Sequence, residues 1–458
     1  MPSPGYCADR SPSIPGPASR TLFVVDWDAA GARDLQERLS LDLRPAGGSH
    51  ETPKEASQET SQEAFQPAGP SDGRPITTQT TQAQATPWPG QVPWQVLNCP
   101  TTSVQAGAAG GGWARLAQAG RYLRTALQAA WRSRQFGQVV VWRQSIGYLL
   151  CALPRWPAWL SAQGRRPQLV LTTVLLSPSS TAPGSWRRGL LELALRRADA
   201  LVYFSREMAQ DTVRHRPTWA HKVFWMPLPL FGEPSGHDRP LQAASIGHDA
   251  DATPDAQPPS VFCGGTSDRD FDVVIEAFRH RPVPVTLVCR EDQAFRPPGP
   301  IEPHFTVRRG VSEQEYHALA AAAGVVVVAL KSATSGCGQL LFSFCMRHGV
   351  PVIATDCFGT RDEVVHGHSG WLVPAGDAQA LGQAYDRLAA DPTLRLQLVR
   401  NARAQAWSRR DGLAGFVKAM NALGDTLRGA PAPEGATFPQ RPQATPARSA
   451  GHPIGEAA

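Results

Sequence analysis

The sequence predicts an α/β protein built from two Rossmann-like domains. Short apolar runs rich in β-branched residues alternate with helix-length segments along most of the chain, as in parallel strands joined by helices. The clearest example is residues 325–355, where a buried-strand pattern, a glycine-bearing loop, a helix-length segment and a second strand follow one another. The chain has 458 residues, and many of its 41 Gly and 42 Pro lie in patches that cannot build a core, so two compact domains fit better than three.

Composition sets the predicted domain boundaries. Stretches rich in Pro, Ser, Gln and Gly cannot bury enough apolar area to offset the entropy of ordering them. The predicted layout is a disordered N-terminus at residues 1–20, an N-terminal Rossmann-like domain at 21–230 with a disordered insertion at 45–92, a linker at 231–259, a C-terminal domain at 260–427 and a disordered tail at 428–458.

The N-terminal domain is predicted to alternate strands and helices. Strands are predicted at 22–25, 95–99, 138–142, 168–175, 200–204 and 222–227, and helices at 29–40, 113–134, 186–197 and 206–213. In the second of these helices, the helical spacing predicts that Leu116, Leu123, Leu127 and Trp131 face inward. Residues 148–160 mix Leu, Trp and Pro, which fits either a membrane-interface patch or a loop and helix covering the core; the prolines favour the second interpretation.

The C-terminal domain is predicted to have two glycine-bearing loops, each between a strand and a helix. Strands are predicted at 261–263, 283–289, 305–308, 325–330 and 351–355, and helices at 271–278, 312–323, 339–348, 377–389, 393–407 and 411–427. Ser312 is the predicted N-cap of its helix, with Glu315 at the capping-box position. The loops at 264–270 and 331–339 present backbone N–H groups at a helix N-terminus, which favours an anion such as phosphate.

Residues 325–377 contain an ordered motif that identifies a family resemblance. The motif consists of Gly336, Gly338, Gly349, Pro351, Val352, Ile353, Ala354, Thr355, Glu363, Ser369, Gly370, Leu372, Val373, Gly376 and Asp377. It resembles the donor-binding half of retaining glycosyltransferases with the GT-B fold, the family-4-like members of glycosyl transferases group 1. A weaker match at 195–229 resembles the end of their acceptor-side domain. The resemblance implies two domains facing each other across a cleft, with a final helix that packs back across the first domain.

The same resemblance implies a set of donor-site residues. The predicted diphosphate contacts are Gly264, Gly265, Arg269, Lys331, Ser335, Gly336, Gly338 and Gln339, and the predicted sugar or ribose contacts are Asp362 and Glu363. Simpler interpretations of the charged members stay open. Arg269 would pair with a neighbouring aspartate, Lys331 would be a solvated strand end, and the two carboxylates would begin a helix.

The chain departs from the family pattern at a pair of glutamates, the second of which contacts the nucleotide ribose in the family. Their positions align with Gly336 and Phe344. The leading interpretation is a glycosyltransferase that moves a sugar, with retention, from a nucleotide-sugar donor to a glycan or lipid-linked acceptor, and no catalytic residue is assigned. The alternative is a catalytically inactive GT-B-fold protein that acts as a nucleotide-binding or regulatory partner. An epimerase of the same fold lacks a supporting carboxylate–histidine set.

The charge and the cysteine spacing argue against a nucleic-acid-binding protein and against a zinc protein. The net charge is +6, and no dense Lys/Arg run is interleaved with aromatics, so no nucleic-acid partner is predicted. None of the eight Cys has zinc-ligand spacing; we expect no metal and no cofactor, since the nucleotide sugar is a substrate. Because no signal peptide or span-length apolar run is visible, we expect a cytoplasmic protein. Peripheral contact with the inner membrane surface stays open as an alternative to a freely dissolved protein.

Overall fold

Two lobes, each built on a parallel sheet of six strands, make up the structure. The computed structural model describes residues 20–25, 32–33, 35–37, 39, 94–99, 112–154, 157–161, 164–229, 258–265, 267–289, 300–407, 412–430 and 439–442. The insertion predicted at 45–92 lies outside these residues, as do almost all of the predicted N-terminal segment and linker and most of the tail. The two parallel sheets confirm the predicted fold class.

The N-terminal lobe has the strand order β2-β1-β3-β4-β5-β6, with every neighbouring pair parallel. Its strands are β1 (Thr21–Val25), β2 (Trp94–Asn98), β3 (Gln138–Val141), β4 (Gln168–Leu171), β5 (Ala200–Tyr203) and β6 (Val223–Trp225). Strands β1, β3, β5 and β6 are buried along their whole length, because helices cover both faces of the sheet.

Among the residues described, four helices with defined bounds lie between the strands of this sheet in the sequence. They are α1 (Gly112–Arg132), α2 (Gln144–Ala152), α3 (Trp186–Arg197) and α4 (Arg206–His215). Ser185 and Ser205 cap the last two, each accepting a hydrogen bond from the backbone N–H three residues on. Helix α2 covers the core with Ile146, Tyr148, Leu150 and Cys151, which agrees with the second interpretation for the first part of that stretch. In the short turn after it, no side chain is buried and Trp159 is 78% exposed.

The C-terminal lobe has the strand order β12-β11-β10-β7-β8-β9, again parallel throughout. Its strands are β7 (Val261–Gly264), β8 (Val285–Cys289), β9 (Phe305–Arg309), β10 (Val325–Val328), β11 (Val352–Thr355) and β12 (Trp371–Val373). Numbered within the lobe, this is the 3-2-1-4-5-6 order of a dinucleotide-binding Rossmann sheet. Strand order reverses between β7 and β10, and such a switch point opens a crevice at the carboxyl ends of the strands.

Helices connect these strands and continue to the end of the lobe. They are α5 (Phe271–Phe278), α6 (Glu313–Ala322), α7 (Gln339–His348), α8 (Ala378–Ala390) and α9 (Pro392–Trp407). The predicted N-cap is confirmed, because the Ser312 side chain accepts a hydrogen bond from the Glu315 N–H at 3.1 Å. Asp270 and Asp377 cap α5 and α8 in the same way.

The last helix, α10 (Gly412–Leu427), leaves the C-terminal lobe and packs on the N-terminal sheet. Phe416 lies against Phe23, Trp94 and Trp142, with ring centroids 5.5, 6.3 and 5.8 Å away. Trp94 Nε1 donates to Asn421 Oδ1 at 3.1 Å. The chain therefore crosses between the lobes a second time. None of the helices in the described ranges combines the length and apolar character needed to cross a bilayer.

Two local predictions were wrong. On α1, the side chains predicted to face inward lie outward: Leu116, Leu123, Leu127 and Trp131 are 63, 45, 50 and 58% exposed. The helix instead buries Thr125, Ala126 and Ala129, since these small side chains allow a close approach to the lobe. The strand predicted at 168–175 ends at Leu171.

The shortening of that strand has a backbone cause. Thr173 has a φ of 53°, in the left-handed region that β-branched residues rarely adopt. Strand geometry therefore cannot continue past this residue, and the chain turns at the carboxyl edge of the N-terminal sheet. Backbone strain of this kind costs on the order of 1–3 kcal/mol and persists only where the surrounding structure enforces it.

Candidate donor site

The two glycine-bearing loops meet at the switch point of the C-terminal sheet. Strands β7 and β10 are neighbours, with Val261 opposite Val325 and Cys263 opposite Val327. The loops that follow them emerge side by side, and two backbone bonds join them. Asp270 N–H donates to the Ala329 carbonyl at 3.0 Å, and Lys331 N–H donates to the Asp268 carbonyl at 3.2 Å. Asp268 has a φ of 58°, so the backbone of the first loop is constrained at this residue.

Arg269 is built into the first loop. Its side chain is almost fully buried; Nε donates to the Gly264 carbonyl at 2.8 Å and Nη1 to the Ser267 carbonyl at 3.0 Å. Gly265 has a φ of 133°, and a Cβ there would lie 2.7 Å from the guanidinium. The hydrogen-bond partners of the Arg269 side chain are carbonyl oxygens and not the neighbouring aspartates. Arg269 therefore fixes the loop shape and places a positive charge beneath it.

The second loop leads into helix α7 with its first backbone N–H groups uncapped by any side chain. Gly338 is the N-cap residue, at a φ of 103°. Ser335 and Gln339 are buried, and the Ser335 hydroxyl accepts a hydrogen bond from Cys337 N–H at 3.4 Å. A helix that begins in this way carries a partial positive charge at a point where an anion can approach. Lys331, at the start of the loop, is exposed and adds a mobile cation.

The N-terminal lobe contacts the C-terminal lobe beside this loop, through the start of helix α4. Ser205 Oγ donates to the Phe358 carbonyl at 2.6 Å. Asp362 accepts a hydrogen bond from the Arg206 N–H. Gly336 packs so tightly on Met208 that a Cβ there would lie 2.1 Å from the sulfur. The predicted glycine loop is therefore closed over by the other lobe at Gly336 rather than open along its whole length.

A charged network extends this contact. Arg361 lies between the lobes, with Nη1 2.6 Å from Glu207 Oε2 and Nε 2.6 Å from Asp356 Oδ1. Arg361 belongs to the C-terminal lobe and Glu207 to the N-terminal lobe, so the pair bridges them. The three side chains are 23–30% exposed, and solvent screening limits the stabilisation that such a pair provides.

The two predicted sugar or ribose contacts have different surroundings. Asp362 is directed at the N-terminus of α4, and burial raises the pKa of its carboxyl above the ordinary value of 3.8. Glu363 is almost fully buried, and its backbone carbonyl accepts a hydrogen bond from Gln405 Nε2 at 2.9 Å. Both residues follow β11 at the carboxyl edge of the sheet, next to the second loop. Asp362 therefore takes part in holding the two lobes together.

The chemistry available in this crevice is electrostatic. Burial raises the pKa of the Cys337 thiol, and raises that of Cys263 to about 12, so neither supplies a thiolate nucleophile near neutral pH. Within the described ranges, no three His, Cys, Asp or Glu side chains are grouped to hold a metal ion. The groups present include backbone amides, the exposed Lys331 ammonium and the buried Arg269 guanidinium, which are kinds of group that can bind and orient an anion.

Comparison with protein families identifies this lobe. Residues 261–391 match the family model described as Glycosyl transferases group 1. The C-terminal lobe is a group 1 glycosyltransferase domain. The match spans β7 to the end of α8, so it includes both glycine-bearing loops and all ten predicted site residues. A search of curated proteins by sequence found no match.

One solved structure aligns over nearly the whole chain. Sucrose-phosphate synthase from Thermosynechococcus elongatus aligns with a TM-score of 0.52 and 16% identity, over 90% of this chain and 99% of that one. HepE from Anabaena in complex with UDP-glucose aligns with a TM-score of 0.47 and 18% identity, over 74% of this chain and 86% of HepE. A glycosyltransferase from Rickettsia africae aligns with a TM-score of 0.45 and 13% identity, over 73% of this chain and 85% of that protein. The first likeness, together with the two sheets, shows the GT-B fold.

Sequence reasoning missed the contacts between the two lobes. Ser205 and Phe358 lie 153 positions apart, and Arg361 and Glu207 lie 154 apart, so no local pattern links them. One signal was available: Ser205 ends a strand within the segment that resembles the acceptor-side domain. A serine there also caps α4, which hides its second role in contacting the other lobe.

Proposed function

We propose that the chain transfers a sugar from a nucleotide-sugar donor to a glycan or lipid-linked acceptor, with retention of the anomeric configuration. The observation that carries the proposal is the meeting of the two glycine-bearing loops at the switch point of a group 1 glycosyltransferase domain. An uncapped helix N-terminus and an exposed lysine lie at that point, and both attract a diphosphate. The N-terminal lobe closes against the same edge and would present the acceptor.

Each site group has a distinct proposed role. Backbone N–H groups of Gly264, Gly338 and Gln339 would contact the diphosphate, and Lys331 would neutralise its charge as the bond to the sugar breaks. The Gly265 N–H donates to the Val288 carbonyl at 3.1 Å, so Gly265 would shape the first loop instead of donating to the diphosphate. Arg269 would act indirectly, because its donors hold the first loop by its carbonyls. Stabilising a departing diphosphate in this way needs oriented donors rather than an ionisable acid–base pair. We therefore propose no metal cofactor.

The first experiment measures nucleotide binding. UDP, GDP and ADP are added separately to the full chain and the melting temperature is recorded. A ligand at about a hundredfold excess over its Kd stabilises the folded state by about 2.7 kcal/mol. That free energy corresponds to a rise of roughly 5–10 °C for a lobe of this size. A panel without any rise would contradict the proposed donor site.

A matched pair of lysine variants assigns the effect to the site. Lys331→Gln removes the cation at the second loop, and Lys418→Gln removes an exposed lysine on α10, in the other lobe. A hydrogen bond to a charged group contributes roughly 1.5–3 kcal/mol, so Lys331→Gln should weaken diphosphate binding about 10- to 100-fold. Lys418→Gln should bind as the unaltered chain does. Equal losses in both variants would mean that binding is non-specific.

Sugar transfer is tested with the nucleotide that binds. Slow hydrolysis of the matching nucleotide sugar would support catalysis, and NMR of the released or transferred sugar reports its anomeric configuration. Retention of the donor configuration is expected. An inverted product would overturn the retaining assignment and leave the donor-binding role in place.

A second candidate is a GT-B-fold protein that binds a nucleotide without transferring a sugar. It is favoured by the residues at the two family glutamate positions. Gly336 packs on Met208, and Phe344 stacks on His317 and His348 with ring centroids 4.6 and 3.9 Å away. Neither position offers a carboxylate to a ribose. Nucleotide binding without donor hydrolysis under any acceptor tested would favour this candidate.

We also propose a reducing, cytoplasmic location. The seven described cysteines are all free thiols, and six of them are buried. Disulfides form and persist in oxidising compartments, so unpaired buried thiols fit a reducing one. The prediction is that reductant leaves the melting temperature unchanged; a loss of stability on reduction would contradict it.

A further inference from the structure

Helix α1 presents an apolar stripe to solvent. Leu116, Leu123, Leu127 and Trp131 are 63, 45, 50 and 58% exposed. They are spaced by seven, four and four residues, which places them on one face of the helix. Large exposed apolar side chains are unremarkable one at a time, but a contiguous row of them marks a surface that another body covers. We call this row the α1 stripe.

A groove runs alongside the α1 stripe. It has a volume of about 720 Å³ and continues from Leu123, Leu127 and Trp131 to Leu153 and Pro154, which follow helix α2. The floor of the groove is therefore apolar over two neighbouring helices. Its rim carries Arg124 and Arg132. The surface is thus an apolar depression with guanidinium groups at its edge.

The stretch of sequence that contains the groove residues carries charge of one sign only. Between Asp72 and Glu192 the sequence contains twelve Arg and no Asp or Glu. Five of these, at positions 115, 121, 124, 132 and 134, belong to α1 or follow it directly. The Arg134 guanidinium lies 3.5 Å from the centre of the Trp131 ring. An acid-free block of this length gives the whole flank a positive potential, which attracts an anionic surface.

We propose that the α1 stripe and its arginine rim dock the N-terminal lobe on an anionic lipid membrane. The leucines and Trp131 would enter the boundary between headgroups and acyl chains, and the arginines would contact lipid phosphates. Trp and Arg together suit this zone because each has an apolar body and a polar end. This proposal goes beyond the proposed function and does not depend on it.

Lipid fits this surface better than other anionic partners. A single-stranded nucleic acid would need aromatic platforms on which its bases stack, whereas the stripe is mostly leucine. A second copy of the chain would bring the same arginines face to face, with no carboxylate between Asp72 and Glu192 to balance them. A membrane supplies both an apolar layer and a dense sheet of phosphates.

Docking in this way leaves the donor crevice accessible. Helix α1 ends at Arg132 and the chain then enters β3 at Gln138, so Trp131 lies toward the amino edge of the N-terminal sheet. The crevice lies at the carboxyl edges of the strands. The acceptor-side lobe would therefore be held on the membrane while the other lobe remains in water. A lipid-linked acceptor would then diffuse to the cleft in two dimensions.

The experiment measures binding of the full chain, without nucleotide, to vesicles. One set is phosphatidylcholine alone and the other contains about one third phosphatidylglycerol, a fraction that gives a strongly negative surface. Co-sedimentation gives the partition constant for each. Binding to the anionic set should exceed binding to the neutral set at least tenfold. It should also fall as salt is raised from 0.05 to about 0.5 M, because added salt shortens the range of the attraction.

Variants assign the binding to this surface. Arg124→Gln with Arg132→Gln removes two charges, each worth about 1 kcal/mol near an anionic membrane, so the constant should fall roughly 30-fold. Leu127→Glu should lower it at least tenfold, by placing a carboxylate in the stripe. The controls are Arg400→Gln, an exposed arginine on α9, and Trp186→Ala, a tryptophan 72% exposed on α3. Circular dichroism and the melting temperature check that each variant is folded.

Several outcomes would overturn the proposal. One is equal binding to neutral and anionic vesicles, or no binding to either. Another is an equal loss in the control variants. A third is a concentration-dependent dimer that Leu127→Glu dissociates, which would make the stripe an interface between copies. Since the assay needs no nucleotide, its failure leaves the donor-site proposal untouched, and a chain that binds no nucleotide can still bind vesicles.

Discussion

Substitution of Gly359 by alanine should distort the donor loop from outside it. Gly359 lies in the segment after β11 and supports the second glycine-bearing loop, since its N–H donates to the Ser335 carbonyl at 2.8 Å. A Cβ at this position would lie 2.6 Å from the Cys337 carbonyl oxygen, 2.8 Å from the Gly336 carbonyl carbon and 3.0 Å from the Cys337 nitrogen. All three atoms belong to backbone, so no side chain can rotate away to make room.

The size of the effect follows from these distances. Non-bonded carbon contacts are comfortable at about 3.5 Å, so the loop must move by roughly 0.9 Å. Overpacking of this kind costs about 1–3 kcal/mol of folding stability. The corresponding fall in melting temperature is roughly 2–10 °C for a lobe of this size. Because misplacement by about 1 Å can cost a hundredfold in rate, donor turnover should fall more than stability does.

Thermal unfolding with and without the bound nucleotide measures both effects, followed by donor turnover. Gly189→Ala is the matched control, because Gly189 lies in helix α3 and a Cβ there meets nothing within 4 Å. Alanine at an open helical position should be neutral or stabilising by about 0.5–1 kcal/mol. If Gly359→Ala melts and binds nucleotide as the unaltered chain does, the loop does not depend on this support and the reasoning fails.

Three further predictions test the packing of the last helix and the contacts between the lobes. Phe416→Ala should lower the free energy of unfolding of the N-terminal lobe in urea by about 3–5 kcal/mol, because it leaves a cavity in an aromatic cluster. A loss under about 1 kcal/mol would contradict this. The raised pKa of Asp362 means that the folded state holds its proton more tightly. The free energy of unfolding of the unaltered chain, measured relative to that of Asp362→Asn, should therefore fall as pH rises from about 3.8. A difference that does not change with pH would refute this prediction. A double-mutant cycle of Arg361→Ala with Glu207→Ala should give a coupling free energy of about 0.5–1 kcal/mol. A coupling of zero would mean that the ion pair does not stabilise the contact between the lobes.

The parts of the fold that the sequence predicted well are those specified locally. Helices α3, α5 and α7 have the predicted bounds, and Ser312 caps α6 as expected. Each of these elements begins at a capping residue or a glycine and ends at a recognisable break in periodicity, so neighbouring residues suffice to define it. The packing of α10 on the first lobe was expected from the family resemblance alone.

The face of α1 shows where local reasoning stops. A row of leucines at helical spacing identifies an amphipathic helix, but periodicity is the same whether the row meets a protein core or an external surface. Here the face with the small residues Thr125, Ala126 and Ala129 allows a closer approach to the lobe than the leucine face does. The small face is therefore the one that is buried. The absence of carboxylates around the row, which is visible only over a hundred residues, was the missing signal.

The candidate site was predictable in position but not in internal bonding. The two loops were placed together because strand order in a Rossmann sheet decides which carboxyl ends are adjacent. The partners of Arg269 could not be read in this way, since they are carbonyls whose direction depends on the φ of Gly265 and Asp268. Contacts such as that of Ser205 with Phe358 depend on how the two lobes are placed relative to each other. The sequence pattern of one lobe alone does not predict this placement.

The position of α10 has a consequence for synthesis of the chain. Phe23, Trp94 and Trp142 share a cluster with Phe416 and Met420, which are translated last of the five. Until those last residues leave the ribosome, the first sheet to be made keeps one aromatic face uncovered. Nascent chains with exposed apolar faces aggregate or require a chaperone. Ribosome-bound chains ending before Gly412 should therefore engage chaperones, and release should coincide with emergence of the final helix.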